Sequence, residues 1–213
     1  MTTKVTLVDY GLGNVYSVQR ALEACGAEVL LSASPGEIEA SDRLVLPGVG
    51  AFADGMAGLR ERGLIGSILQ YAATGRPLLG ICLGMQMLAT LSQEFGEHCG
   101  LDLIPGSVLP LPTTDVDGLT VKVPHTGWTA LLRPAGMSWS DTPLEDTAEG
   151  ESVYVVHSFA VNPRSGNHRL ADCLYGGHRI CAAIRRNRIF GCQFHPEKSG
   201  PSGLRIISRF LAC

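Results

Sequence analysis

The chain lacks a surplus of positive charge. Seventeen Lys and Arg stand against twenty Asp and Glu, a net charge of −3. The basic footprint of a nucleic-acid binder is therefore missing, and no nucleic acid is expected as a partner. No apolar run approaches the ~18–20 residues that a membrane-spanning helix needs. No hydrophobic opening stretch follows Met1-Thr2-Thr3-Lys4. No membrane contact or export is expected, and the expected location is cytoplasmic. The seven cysteines (Cys25, Cys82, Cys99, Cys173, Cys181, Cys192, Cys213) are odd in number and show no Cys-x-x-Cys spacing. That argues against a zinc site or a disulfide framework and for reduced thiols. No metal or other cofactor is expected. Repeats, low-complexity tracts and linkers are absent as well. What is present is 213 residues, 45% hydrophobic and 17% charged, enough for one domain over residues 1–213 with a large core.

The first half alternates short apolar strands with helical patterns. Residues 4–9, 28–31, 43–46 and 78–81 read as strands. Asn14 is placed to cap a helix carrying Val15, Val18, Ala21, Leu22 and Cys25 on one face, and Gly26 ends it. Ser34-Pro35 marks a helix start, and helical stretches follow over 52–62 and 64–73. This alternation predicts a parallel sheet covered on both faces, with ligands beyond the carboxyl ends of its strands. The second half changes character. Strand patterns at 119–123, 152–156, 173–175, 180–184 and 189–193 follow one another without helices, which predicts antiparallel pairing. A last helix is expected over 203–211 with Leu204 and Ile207 inward, and the polar stretch 137–150 reads as an exposed loop. The fold class is therefore α/β: a mostly parallel sheet flanked by helices, with an antiparallel extension in the C-terminal half.

Three segments carry chemistry. Cys82 lies at the junction of the strand Leu78-Leu79-Gly80-Ile81 and an apolar-periodic helix with Met85, Leu88 and Ala89. A sharp strand-to-helix elbow displays a nucleophile, and the N-terminus of the new helix favours a thiolate. A buried structural cysteine is the bland alternative for any one cysteine. Gln193-Phe194-His195-Pro196-Glu197 supplies the partners a thiol needs: His195 as base and Glu197 to orient it, with Pro196 stiffening the turn between them. Gly48-Val49-Gly50 closes the third strand and offers an oxyanion hole. One N–H is expected from Leu83 and the other from Val49 or Gly50. His98, His168 and His178 sit in polar surroundings and read as surface residues. Cys192 should alternate away from Gln193 into the core.

Together, Leu79-Gly80-Ile81-Cys82-Leu83-Gly84-Met85-Gln86 and Gln193-Phe194-His195-Pro196-Glu197 resemble the class I (triad) glutamine amidotransferases. The narrower resemblance is to the glutaminase subunits of imidazole glycerol phosphate synthases. It is carried by Asp9-Tyr10-Gly11-Leu12-Gly13-Asn14, Leu46-Pro47-Gly48-Val49-Gly50-Ala51-Phe52, Val123-Pro124-His125-Thr126-Gly127-Trp128, His157-Ser158-Phe159 and Glu197-Lys198-Ser199. The resemblance implies glutamine hydrolysis through a Cys82 thioester, with ammonia passed to a (β/α)8-barrel cyclase in a heterodimer. It implies that Gly50, Gln86, His157, Ser158 and Phe159 hold the glutamine, and that Asn14, His125, Trp128 and Lys198 face the barrel. Thr126, Thr129, Ala160 and Gly200 depart from the pattern near that presumed surface. They leave open a related branch that aminates a sugar nucleotide. A stand-alone γ-glutamyl hydrolase is the other alternative.

Overall fold

The computed structural model describes residues 3–213. The chain runs β1 (Thr3–Val8), α1 (Val15–Ala24), β2 (Ala27–Ser32), α2 (Pro35–Glu39), β3 (Leu44–Leu46), α3 (Phe52–Glu61), α4 (Leu64–Ala73), β4 (Leu78–Ile81) and α5 (Leu83–Met87). It continues through β5 (Ala89–Ser92), β6 (His98–Cys99), β7 (Ile104–Pro110), β8 (His125–Ala130), β9 (Ser152–His157) and β10 (Phe159–Pro163). It ends with β11 (Arg169–Tyr175), β12 (His178–Arg186), β13 (Ile189–Cys192) and α6 (Gly200–Ala212).

Among the described residues the main sheet has seven strands in the order β11-β12-β13-β4-β3-β1-β2. The five from β13 to β2 run parallel, and β12 and β11 add antiparallel strands at one side. Period-two burial explains the layering. Val45, Leu79, Ile81 and Phe190 face a core shared with Val18 and Leu22 of α1 and Ile207 and Phe210 of α6. Leu44, Leu46 and Leu78 face the opposite core with Phe52, Leu59, Ile68 and Met85 of α3, α4 and α5. A smaller sheet orders β10-β7-β5-β6, and β8 pairs antiparallel with β9. No helix among the described residues is long and apolar enough to cross a membrane. All seven cysteines are free thiols.

Several expectations need correction. The helix after Cys82 ends at Met87, because Ala89 already starts β5 and pairs with Ile104. Residues 119–123 form no strand beyond an isolated bridge, Thr114 to Thr120, and Leu119 is exposed. Leu204 also faces solvent, while Ile206 and Ile207 carry the buried face of α6. The stretch 137–150 is not simply exposed. Trp139 and Leu144 are buried, and the Trp139 indole donates to the Leu170 carbonyl at 2.8 Å. Asn14 stands at the N-cap position of α1 without a side-chain capping bond.

Close backbone approach fixes the elbow. A Cβ on Gly84 would fall on the Leu46 carbonyl oxygen, far inside van der Waals contact, so α5 packs on β3 only through glycine. Gly84→Ala should therefore cost at least about 3 kcal/mol and lower the melting temperature by roughly 6–12 °C. Gly66 gives the control: it is exposed in α4, with open space where a Cβ would stand. Gly66→Ala should gain roughly 0.5–1 kcal/mol. Thermal and urea denaturation of the two variants read both effects.

Candidate active site

Cys82 takes φ 53° and ψ −109°, outside the regions open to most non-glycine residues. Holding a residue there costs about 1–3 kcal/mol, a cost that persists where the surroundings enforce it. They do so here. The Cys82 N–H donates to the Cys192 carbonyl at 2.7 Å, which ties the elbow to the end of β13. The following chain delivers His195 beside it. The His195 N–H donates to the Tyr154 carbonyl at 2.9 Å, and the Ser199 hydroxyl donates to the His195 carbonyl at 2.7 Å. Pro196–Lys198 form a single 3-10 turn that brings Glu197 back under the ring.

His195 Nδ1 and Glu197 Oε1 are 2.8 Å apart, both side chains almost wholly excluded from water. That bond sets the tautomer: Nδ1 carries a proton and Nε2 is turned to the reaction side. Nε2 is buried without a conventional hydrogen-bond partner. Burial alone would push the imidazolium down. The Cys82 side chain and then the Glu197 carboxylate outweigh it and carry the ring up to about 9. A sulfur, an imidazole and a carboxylate thus stand in series.

Cys82, His195, Val49, Gly50, Gln86, His157, Ser158 and Phe159 line one cleft of about 300 Å³. Glu197 lies behind His195 and Leu83 is buried behind the elbow. The larger cavity of about 420 Å³ beside Arg185 and Arg209 has no histidine in its lining. The cleft also holds Glu94, which the sequence patterns did not single out. Its Oε2 accepts the Phe52 N–H at 2.6 Å, so it caps α3 while lining the site. A spacing of twelve residues from the cysteine gives no signal for it. Gln86 is also more constrained than expected. Its amide nitrogen already donates to the Phe159 carbonyl and to Gln193 Oε1, each at 3.0 Å. Only its oxygen remains for a ligand. His157 gives its Nδ1–H to the Phe159 carbonyl at 2.9 Å, and burial lowers the ring to about 4, so it stays neutral near pH 7.

The oxyanion hole differs from expectation. The Leu83 N–H is not free; it donates to the Gly48 carbonyl at 3.3 Å. Tyr10 anchors the same loop, its hydroxyl donating to the Pro47 carbonyl at 2.7 Å. Gly50 follows at φ +104°, where a side chain would be strained. Of the residues expected to face a partner, Trp128 is 61% exposed and meets Tyr154 edge to face, and Lys198 is exposed. Asn14 is half-buried. His125 is not a surface residue. It is buried, stacked on Tyr175 at 4.3 Å, and lines a neighbouring cavity with Lys122 and Thr126.

A doubly covered parallel sheet with a cysteine elbow and a buried His–Glu pair beside one small cleft has the parts of a thiol-dependent hydrolase. The sequence model of the family Glutamine amidotransferase class-I matches residues 6–213, and the chain belongs to that family, whose enzymes hydrolyse glutamine and transfer its ammonia. It is 51% identical over 210 residues to the imidazole glycerol phosphate synthase subunit HisH 1 of Legionella pneumophila (strain Paris), covering 98% of this chain and 99% of that protein. It is 42% identical over 212 residues to the imidazole glycerol phosphate synthase subunit HisH of Geobacter sulfurreducens, covering 98% of each. Among solved structures, PurLQS from Thermotoga maritima shares the fold with a TM-score of 0.70 at 21% identity, covering 100% of this chain and 99% of that one.

The raised His195 value gives a signed pH dependence. The folded pKa of about 9 lies above the ordinary 6.5, so the stability this pairing supplies is complete below about pH 6.5. It is lost as pH rises through about 9. Denaturation midpoints at pH 6, 7.5 and 9.5 should fall in that order. Glu197→Gln removes one of the raising groups and should move the loss to lower pH.

Proposed function

We infer that this chain is the glutaminase subunit of an imidazole glycerol phosphate synthase in histidine biosynthesis. The observation that carries the mechanism is that His195, backed by the buried Glu197 carboxylate, shares a cleft with the strained Cys82. The Cys82 thiolate attacks the side-chain carbonyl carbon of glutamine. The His195 imidazolium gives its proton to the departing nitrogen, which leaves as ammonia, and a glutamyl thioester remains. Water, activated by the now neutral His195, attacks the thioester carbonyl. Glutamate leaves, the sulfur returns as thiolate, and His195 regains its proton. Glu197 holds the ring throughout. Glu94 takes the α-ammonium of glutamine with the oxygen that does not cap α3, and Gln86 contributes its oxygen. The small cleft favours free glutamine over the longer substrates of a γ-glutamyl hydrolase.

The partner is a (β/α)8-barrel cyclase that receives the ammonia, docked over Asn14, Trp128 and Lys198. Cytoplasmic residence goes with this reading. The Gly48 carbonyl explains why the lone chain would waste little glutamine. Turning over the single peptide between Gly48 and Val49 would withdraw that carbonyl, free the Leu83 N–H and aim the Val49 N–H at the same point. Both oxyanion donors would appear in one motion. A missing donor typically costs about 2.7–4 kcal/mol, or ~10²–10³ in rate.

The isolated chain should turn over glutamine slowly and speed up by about 10²–10³-fold when the substrate-loaded cyclase is added. High turnover by the lone chain, unchanged by the partner, would reject the switch. Cys82→Ser should abolish glutamine-dependent product formation in the complex but leave synthesis from ammonium salts intact. Loss of both would make the cysteine a structural residue.

A further inference from the structure

Gln193 is buried immediately before Phe194 and His195, and the triad does not use its side chain. Its amide is nevertheless fully engaged. Oε1 accepts from Gln86 Nε2 at 3.0 Å, and Nε2 donates to the Cys82 sulfur at 3.7 Å, within the longer reach of a sulfur acceptor. Gln86 Nε2 also donates to the Phe159 carbonyl at 3.0 Å.

The far end fixes the direction of this chain. A backbone carbonyl can only accept, so Gln86 must turn its nitrogen to Phe159. The second N–H of that nitrogen points at Gln193, which must answer with oxygen. Gln193 is then left with its nitrogen toward the sulfur. Reversing Gln86 would set acceptor against acceptor at both of its contacts, and reversing Gln193 would set its NH2 against that of Gln86, at roughly 1–3 kcal/mol for each unmet group. A fixed N–H donor at sulfur favours the thiolate over the thiol, because it bonds better to the charged form. It also holds the sulfur in one rotamer between amide and imidazole.

We propose that Gln193 is a positioning residue that donates a hydrogen bond to the Cys82 thiolate, its polarity set by Gln86 and the Phe159 carbonyl. Phe159 belongs to the wall of the cleft, so the wall that meets glutamine and the sulfur that attacks it share one hydrogen-bonded line. The reaction it serves rests on the glutaminase reading, but the state of the sulfur does not.

The test follows the alkylation of Cys82 by iodoacetamide against pH in the full chain without glutamine, with the other cysteines separated by peptide mass mapping. Gln193→Met keeps the length and removes the donor. Its alkylation near pH 7 should be roughly tenfold slower, with the profile displaced toward higher pH. The kcat for glutamine in the complex should fall about tenfold, with KM changed less than about twofold. Gln86→Met leaves Gln193 free to rotate and should shift the alkylation profile the same way. The double variant should go no further than the larger single one. An unshifted profile in folded Gln193→Met overturns the proposal, even if activity falls, since the residue would then only pack. Should that variant fail to fold, Gln193→Asn keeps the amide but draws it away from the sulfur, and an unshifted profile there overturns it equally. A shifted profile in a chain that never hydrolyses glutamine would defeat the glutaminase reading and leave this one standing.

Discussion

The parallel pairing of β13 with β4 is the constraint on which the rest depends. It sets Cys192 beside Ile81 and lets the Cys82 N–H close on the Cys192 carbonyl at 2.7 Å. The partners lie more than a hundred residues apart in sequence. Bringing such distant segments together costs about 4 kcal/mol in loop-closure entropy beyond a constant. Burying Leu79, Ile81 and Phe190 between the same strands and α1 and α6 returns roughly 1.5–3 kcal/mol each. Burial therefore wins, and the site comes with the core: once the two parallel strands are in register, Cys82 and His195 leave them at the same carboxyl edge.

The second element is tight packing without side chains. Gly84 lets α5 rest on the carbonyl of Leu46, and Gly48 leaves no room for a Cβ beside Leu83. The elbow is thereby pressed against the loop that must supply the oxyanion donors. The resulting contact, the Gly48 carbonyl on the Leu83 N–H, satisfies two backbone groups and closes the hole in the same bond. On the proposed mechanism, stability and restraint of activity would be one interaction. The outer face of the loop is open to solvent at Val49.

Much of this is legible in the sequence. The strand before Cys82 can be read at its observed bounds because an all-apolar run ends at glycines and a reactive residue. The histidine and carboxylate can be read because two residues around a proline leave little freedom. The missing parts are those whose meaning is not local. Strand β7 carries two prolines and a glycine and exists through its pairing with β10 and β5. Residues 119–123 alternate well yet find no partner strand. Trp139 hides in a polar stretch because its burial depends on a carbonyl across the fold. Glu94 and Gln193 acquire roles only from residues that the fold brings to them. The carbonyl on Leu83 is a backbone event, for which side-chain patterns give no sign.

The proposed mechanism rests on a single reactive sulfur in line with an imidazole. The most direct measurement is mass mapping after treatment with a diazoketone analogue of glutamine, with the proposed cyclase partner added. One adduct per chain is predicted, on Cys82 alone of the seven cysteines, blocked by glutamine and lost in His195→Ala. Adducts spread over several cysteines, or labelling of Cys82 indifferent to glutamine and to His195, would contradict it.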